Sequence, residues 1–103
     1  MKIIKKLSEL IECEIDDAER YVELALELRD TRKGLADTFY SLSLEEMKHM
    51  EILHEEVVKL IEEHRSQHGE PPADMLAIYE YLHKRHIKEA QEVKNYQTTY
   101  RES

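Results

Sequence analysis

The two glycines and two prolines of this 103-residue chain fall in only two places. That arrangement restricts the fold more than any other feature. Gly34 closes the run Asp30-Thr31-Arg32-Lys33-Gly34, and Gly69, Pro71 and Pro72 lie in Ser66-Gln67-His68-Gly69-Glu70-Pro71-Pro72. Gly and Pro punctuate regular structure because one frees the backbone and the other removes an N–H and fixes φ. The stretches between them are rich in Glu, Leu and Lys, which favour helix. The sequence therefore predicts an all-α chain, an antiparallel bundle of three long helices over about 3–30, 35–65 and 73–101, in a single domain spanning 1–103. Asp74 or the Pro71-Pro72 pair starts the third helix.

Each helix carries an apolar stripe at alternating spacings of three and four, as bundle packing requires. The stripes read Leu7, Ile11, Glu14, Ala18, Tyr21, Ala25, Leu28; then Leu35, Phe39, Leu42, Glu46, His49, Leu53, Leu60; then Met75, Tyr79, Leu82, His86, Glu89, Val93, Tyr96, Tyr100. Ionisable residues interrupt all three: Glu14, then Glu46 with His49, then His86 with Glu89. Antiparallel helices joined by a short turn place at one level the residues equidistant from that turn. On that basis Glu14 is level with Glu46 and His49 to within about one helical turn. His49 is level with Glu89 and close to His86. The five are expected to form one polar layer with apolar layers on either side.

A buried carboxylate or imidazole needs a partner, and these five are all metal-ligand types. Spacing alone selects nothing, because the chain holds eighteen glutamates and two further Glu-x-x-His pairs, Glu51 with His54 and Glu80 with His83. The first misses the stripe of its helix. The second sits about 13 Å along the axis from the layer. Glu46 and His49 satisfy spacing, face and level together.

Here the residues resemble the ferritin-like superfamily, its rubrerythrin branch in particular. That family's first helix supplies a Glu with a Tyr seven residues later, as Glu14 and Tyr21 stand in EIDDAERY, and its second supplies Glu-x-x-His a little over thirty residues on, as in ADTFYSLSLEEMKH. The resemblance covers residues 10–60. It implies a di-iron site held by Glu14, Glu46 and His49, with Tyr21 beside it to hydrogen-bond a ligand or carry an electron, and ferroxidase or peroxidase-type oxidation for iron handling or oxidative-stress defence. Manganese or zinc would suit similar donors. The family's fourth helix has no counterpart, and the third stripe reads His86-x-x-Glu89, the reverse order. Shortened relatives, the encapsulated ferritins, build one site from two copies. The resemblance thus implies a homodimer or higher homo-oligomer, and an encapsulating or redox partner. Otherwise His86 and Glu89 supply the remaining ligands.

Charge and composition bound the alternatives. A net charge of −8 leaves no basic stripe for nucleic acid. No apolar run approaches the ~20 residues of a membrane span. One cysteine, Cys13, cannot pair internally, which with a helix-like N-terminus predicts a cytoplasmic protein. Met47 and Met50 read as packing, and His64 and His68 as part of a solvated loop. Apolar residues of helix three, Tyr79, Leu82, Val93 and Tyr100, are expected to be exposed for association. Two other functions use the same residues: a metal-free interaction or adaptor module in which the polar layer sets register, and a non-redox zinc or manganese bundle.

Overall fold

A computed structural model describes residues 2–102. Among them, all regular structure is helical: α1 (Lys2–Leu28), α2 (Lys33–His68) and α3 (Ala73–Glu102). The molecule measures 56 × 19 × 17 Å, its long axis matching the rise of a helix of α2's length at about 1.5 Å per residue.

The first break falls two residues earlier than the sequence suggested, at 29–32, and the second is shorter, at 69–72. Lys33 and Gly34 already belong to α2, because the carbonyl of Arg32 accepts from the N–H of Ala36 at 2.9 Å and starts the ladder there. At the far end α2 continues through His68, since nothing before Gly69 breaks it. Gly69 then takes φ 79°, the conformation a side chain disfavours, and its N–H closes on the Arg65 carbonyl at 3.0 Å. His64 and His68 are therefore helical, not loop residues, and their rings lie 5.2 Å apart. The Pro72 carbonyl accepts from Leu76 N–H at 3.0 Å and opens α3.

Contacts along α1 and α2 pair rising numbers with falling ones: Glu14 near His49, Ala18 with Ser43, Tyr21 on Phe39. Between α2 and α3 they do the same, from Tyr40 on Tyr100 to His54 on His83. The helix α1 packs extensively on α2 and less on α3, while α2 and α3 touch sparingly. Two apolar clusters result. Ile11, Ile15, Ala18, Met47, Ala90 and Val93 form one, against which Met50, Leu53 and Val57 pack. Ala25, Ala36 and Tyr100 form the other, flanked by Leu26, Leu28, Phe39 and Tyr40.

The fully buried Ser43 carries the polar link among the three helices. Its hydroxyl donates to the Ala18 carbonyl at 2.7 Å and accepts from the Gln97 amide at 3.0 Å, so the buried polar groups satisfy one another. A second link ties the helix ends: the Tyr100 hydroxyl donates to Asp37, and Lys33 lies 3.1 Å from the same carboxylate.

The buried lines are rotated from the expected stripes. On α1 the buried residues are Ile4, Ile11, Ile15, Ala18, Val22 and Ala25, centred roughly 50° from the stripe through Glu14 and Tyr21 at 100° per residue. On α2 they are Ala36, Ser43 and Met47. The large side chains Leu35, Phe39 and Leu42 lie to one side, because the small Ala36 and Ser43 permit the close approach. Val93 and Tyr100 are buried in the core, which corrects the expectation of an exposed strip along α3 containing them.

Candidate metal centre

Glu14 on α1 and Glu46 and His49 on α2 converge. One ligand atom from each lies within 4.8 Å of the other two. The His49 Nδ1 is 3.5 Å from Glu14 Oε2 and 3.8 Å from Glu46 Oε2. The helices supply this geometry directly: Glu46 and His49 share a face at i and i+3, and the Ala18–Ser43 approach one turn away sets α1 against it. The carboxylates are held in the seam, 25% and 19% exposed, while the imidazole, 54% exposed, forms the outer lip.

Glu14 Oε2 is buried without a hydrogen-bond partner. The Glu46 carboxyl is pushed above its ordinary range, first by the hydrogen bond it shares with Glu14, then by burial and by the Glu14 charge, with His49 opposing. Two carboxylates pressed together with one orphaned oxygen leave a site short of positive charge. Two oxygen donors and one imidazole fit an ion of hard to intermediate character, as iron, manganese and zinc are. The donor set thus fits a metal, and three donors are half of a dinuclear complement.

His86 and Glu89 do not join this group, which corrects the single-layer expectation. They lie on the opposite flank of α1, against Glu12 and Asp16, with ligand atoms of Glu12, Asp16 and Glu89 within 4.8 Å of one another. Glu12 and Glu14 are about 200° apart around α1, and the apolar cluster of Ile11, Ile15, Met47 and Ala90 fills the same level of the core. The second group has its own cation. Arg85 donates to Glu12 at 3.2 Å and to Glu89 at 2.8 Å. His86 Nε2 lies 3.0 Å from Glu12. Burial and the neighbouring Glu89 push the Glu12 carboxyl up, against the pull of Arg85, and burial holds the His86 imidazole below its ordinary value. Sequence reading missed Glu12, Asp16 and Arg85. Their signal was the pairing of Glu12 with Asp16 and of Arg85 with Glu89 at i and i+4; the two turns set the level of α3 against α1, but not the side of α1 that faces it.

Tyr21 stacks on Phe39 with centroids 6.1 Å apart, about 10 Å along α1 from Glu14. Met47 is core and Met50 packs against it. Cys13 is exposed.

The trio lies on a second apolar seam. Leu7, Glu14, Tyr21 and Leu28 recur at intervals of seven on α1, as do Phe39, Glu46, Leu53 and Leu60 on α2, and all are half-buried. Beside them Ile3, Leu10, Leu24 and Leu35 are exposed. On α1 and α2 the stripes read from the sequence straddle this outward seam and the core: Glu14, Tyr21, Phe39 and Glu46 lie on the seam, while Ile11, Ala18 and Ala25 are in the core.

The fold and the site together define a three-helix bundle carrying a carboxylate–imidazole trio on its α1–α2 face. No family model matches the chain, and no curated protein or solved structure matches it. No described helix is long and apolar enough to cross a membrane.

Proposed function

We propose that this chain is a dinuclear metal-binding protein of the ferritin-like kind, an antiparallel bundle whose metal centre two copies complete. The convergence of Glu14, Glu46 and His49 around a buried Glu14 oxygen that makes no hydrogen bond carries the reading. The seam around the trio would be the face on which the second copy docks. A two-fold axis through the trio brings four carboxylates and two imidazoles together, and self-complementary association needs one patch used twice. The exposed Leu10, Leu24 and Leu35 would be covered in the same step.

Iron is the metal proposed, and bound as a pair it would supply oxidation with dioxygen or peroxide, of the ferroxidase or peroxidase type. The chain's own part is definable from its residues. Glu14 and Glu46 supply negative charge and oxygen donors, held close by helix packing. His49, at the rim, supplies a nitrogen and is the group most free to reorient. The surrounding leucines and Phe39 keep water from the carboxylates once the face is covered, which strengthens their hold on a cation. His86 and Glu89 are not in this ligand set.

Anaerobic titration with iron(II) should saturate at one ion per chain, with admission of air giving a ferric absorption band. A Glu46→Ala, His49→Ala double variant should show neither. Equal binding by wild type and variant would overturn the proposal. The Glu14–His49 distance also suits a metal-free register lock in an interaction module. In that case the melting temperature is the same with and without iron(II), manganese(II) or zinc(II), whereas a bound ion raises it by linkage. Binding without oxidation would identify the non-redox zinc or manganese bundle.

A further inference from the structure

The two Glu-x-x-His pairs set aside at the sequence level meet in the fold. His54 of Glu51-x-x-His54 on α2 stacks on His83 of Glu80-x-x-His83 on α3, with centroids 4.7 Å apart and planes 11° from parallel. The stack stands between two cavities. One, of about 260 Å³, is walled by Ile4, Val57, Ile61, Leu76 and Leu82. The other, of about 310 Å³, is walled by Met50, Ile87 and Ala90. Ile11, His54, His83 and His86 border both.

The position matters because α3 is held unevenly. Its second half is anchored by buried Ala90, Val93, Gln97 and Tyr100, and by the Gln97–Ser43 and Tyr100–Asp37 hydrogen bonds. Its first half has half-buried Met75, Leu76, Tyr79 and Leu82, and its one buried side chain, His86, lies at the end of that half, beyond residue 84. The first cavity flanks it there, the second runs alongside residues 83–94, and α2–α3 packing is sparse.

We propose that the His54–His83 stack is a proton-sensitive clasp that holds the first half of α3 against α2 while the rings are neutral and releases it when both are protonated, joining the two cavities into one open groove.

Two imidazolium ions stacked face to face repel, and although His83 is exposed, His54 is half-buried on the α2 side, where the repulsion is screened less than in open water. The charges around the stack do not cancel this. From α2, Glu51, Glu55, Glu62 and Arg65 border the cavities, and from α3, Glu80, His86 and Lys94 do. Arg65 is already paired with Glu62 and Glu70. Glu51, Glu55, Glu62 and Glu80 are exposed to solvent. From α1 the walls are Ile4, Ser8 and Ile11, which carry no charge, and Arg85 is held by Glu12 and Glu89. Burial, and secondly the neighbouring His83, hold the His54 imidazole below its ordinary value, against the pull of Glu55. The released state therefore binds protons more readily than the clasped one. The clasp's contribution is complete above the ordinary imidazole value and disappears as pH falls through the lowered one.

Hydrogen exchange of the full chain, corrected for the intrinsic pH dependence of exchange, reads the two halves of α3 separately. On acidification from about pH 7.5 to about 5.5, amides of residues 73–84 should lose protection while those of 90–100 keep it. His83→Phe keeps a stacking ring that cannot be protonated, and should hold the protection of 73–84 at both pH values. His83→Gln removes the ring, and should lower that protection at both. Protection of 73–84 that ignores pH in the wild type, or falls equally in His83→Phe, would overturn the clasp. Neither outcome depends on metal at Glu14, Glu46 and His49.

Discussion

Ser43 shows how one small polar side chain organises three helices. Its hydroxyl satisfies the Ala18 carbonyl and accepts from Gln97 inside an otherwise apolar contact. Ser43→Ala leaves the Gln97 amide without that acceptor, and should destabilise the protein by about 1–3 kcal/mol, measured by urea unfolding. Gln97→Leu in the same background should restore part of that loss, because both polar partners are then gone. Glu46 stands in the opposite situation. Its carboxyl is pushed up by Glu14 and by burial, so its charged form opposes the metal-free fold. Glu46→Gln should leave metal-free stability at neutral pH equal or higher while weakening metal binding. A Glu46→Gln protein that melts lower without metal and binds as tightly with it would show the residue to be structural.

At the scale of the helix, the ends and faces were legible to different degrees. Gly69 ends α2 because its φ of 79° suits glycine, and that position was readable from sequence. Gly34 marked a turn in the sequence yet lies inside α2, since a glycine tolerates a helix as well as a turn. The latch of Tyr100, Asp37 and Lys33 was not readable, because it joins residues far apart in the chain. The Asp37 carboxyl is held below its ordinary value, first by the Tyr100 hydroxyl and then by Lys33. A lowered carboxyl value stabilises above the unfolded value and ceases to as pH falls through the folded one. Tyr100→Phe, which keeps the buried ring, should therefore be less stable than wild type at neutral pH. The difference should shrink as pH falls below the ordinary carboxylate range, followed by thermal melts across the acid limb.

For the whole molecule, the site lies on the outside of a bundle. A glutamate in place of Leu10 or Leu24, both exposed beside the trio, should leave helicity unchanged by circular dichroism. It should also keep the chain monomeric by light scattering and lower iron(II) bound per chain, where the wild type dimerises. A wild type that is monomeric when iron-loaded would remove the shared centre.

Gly69 and the Pro71-Pro72 pair determined the break between α2 and α3, because backbone conformation at those residues is a local property, whereas the first break falls at 29–32, just before Gly34. The spacing of Glu14, Glu46 and His49 determined their convergence, because one short turn relates α1 to α2 and helical rise is constant. His86 and Glu89 failed for the complementary reason. Their level followed from the second turn, but the side of α1 on which they pack did not. Tertiary packing decided that: small Ala36, Ser43 and Ala90 let the helices approach along lines rotated from the stripes of large residues, carrying His86 and Glu89 to Glu12 and leaving the trio on an outward seam. Periodicity reports that a face is apolar. Which of two apolar faces is buried within one chain depends on the volumes that fit between helices, a property no single helix possesses.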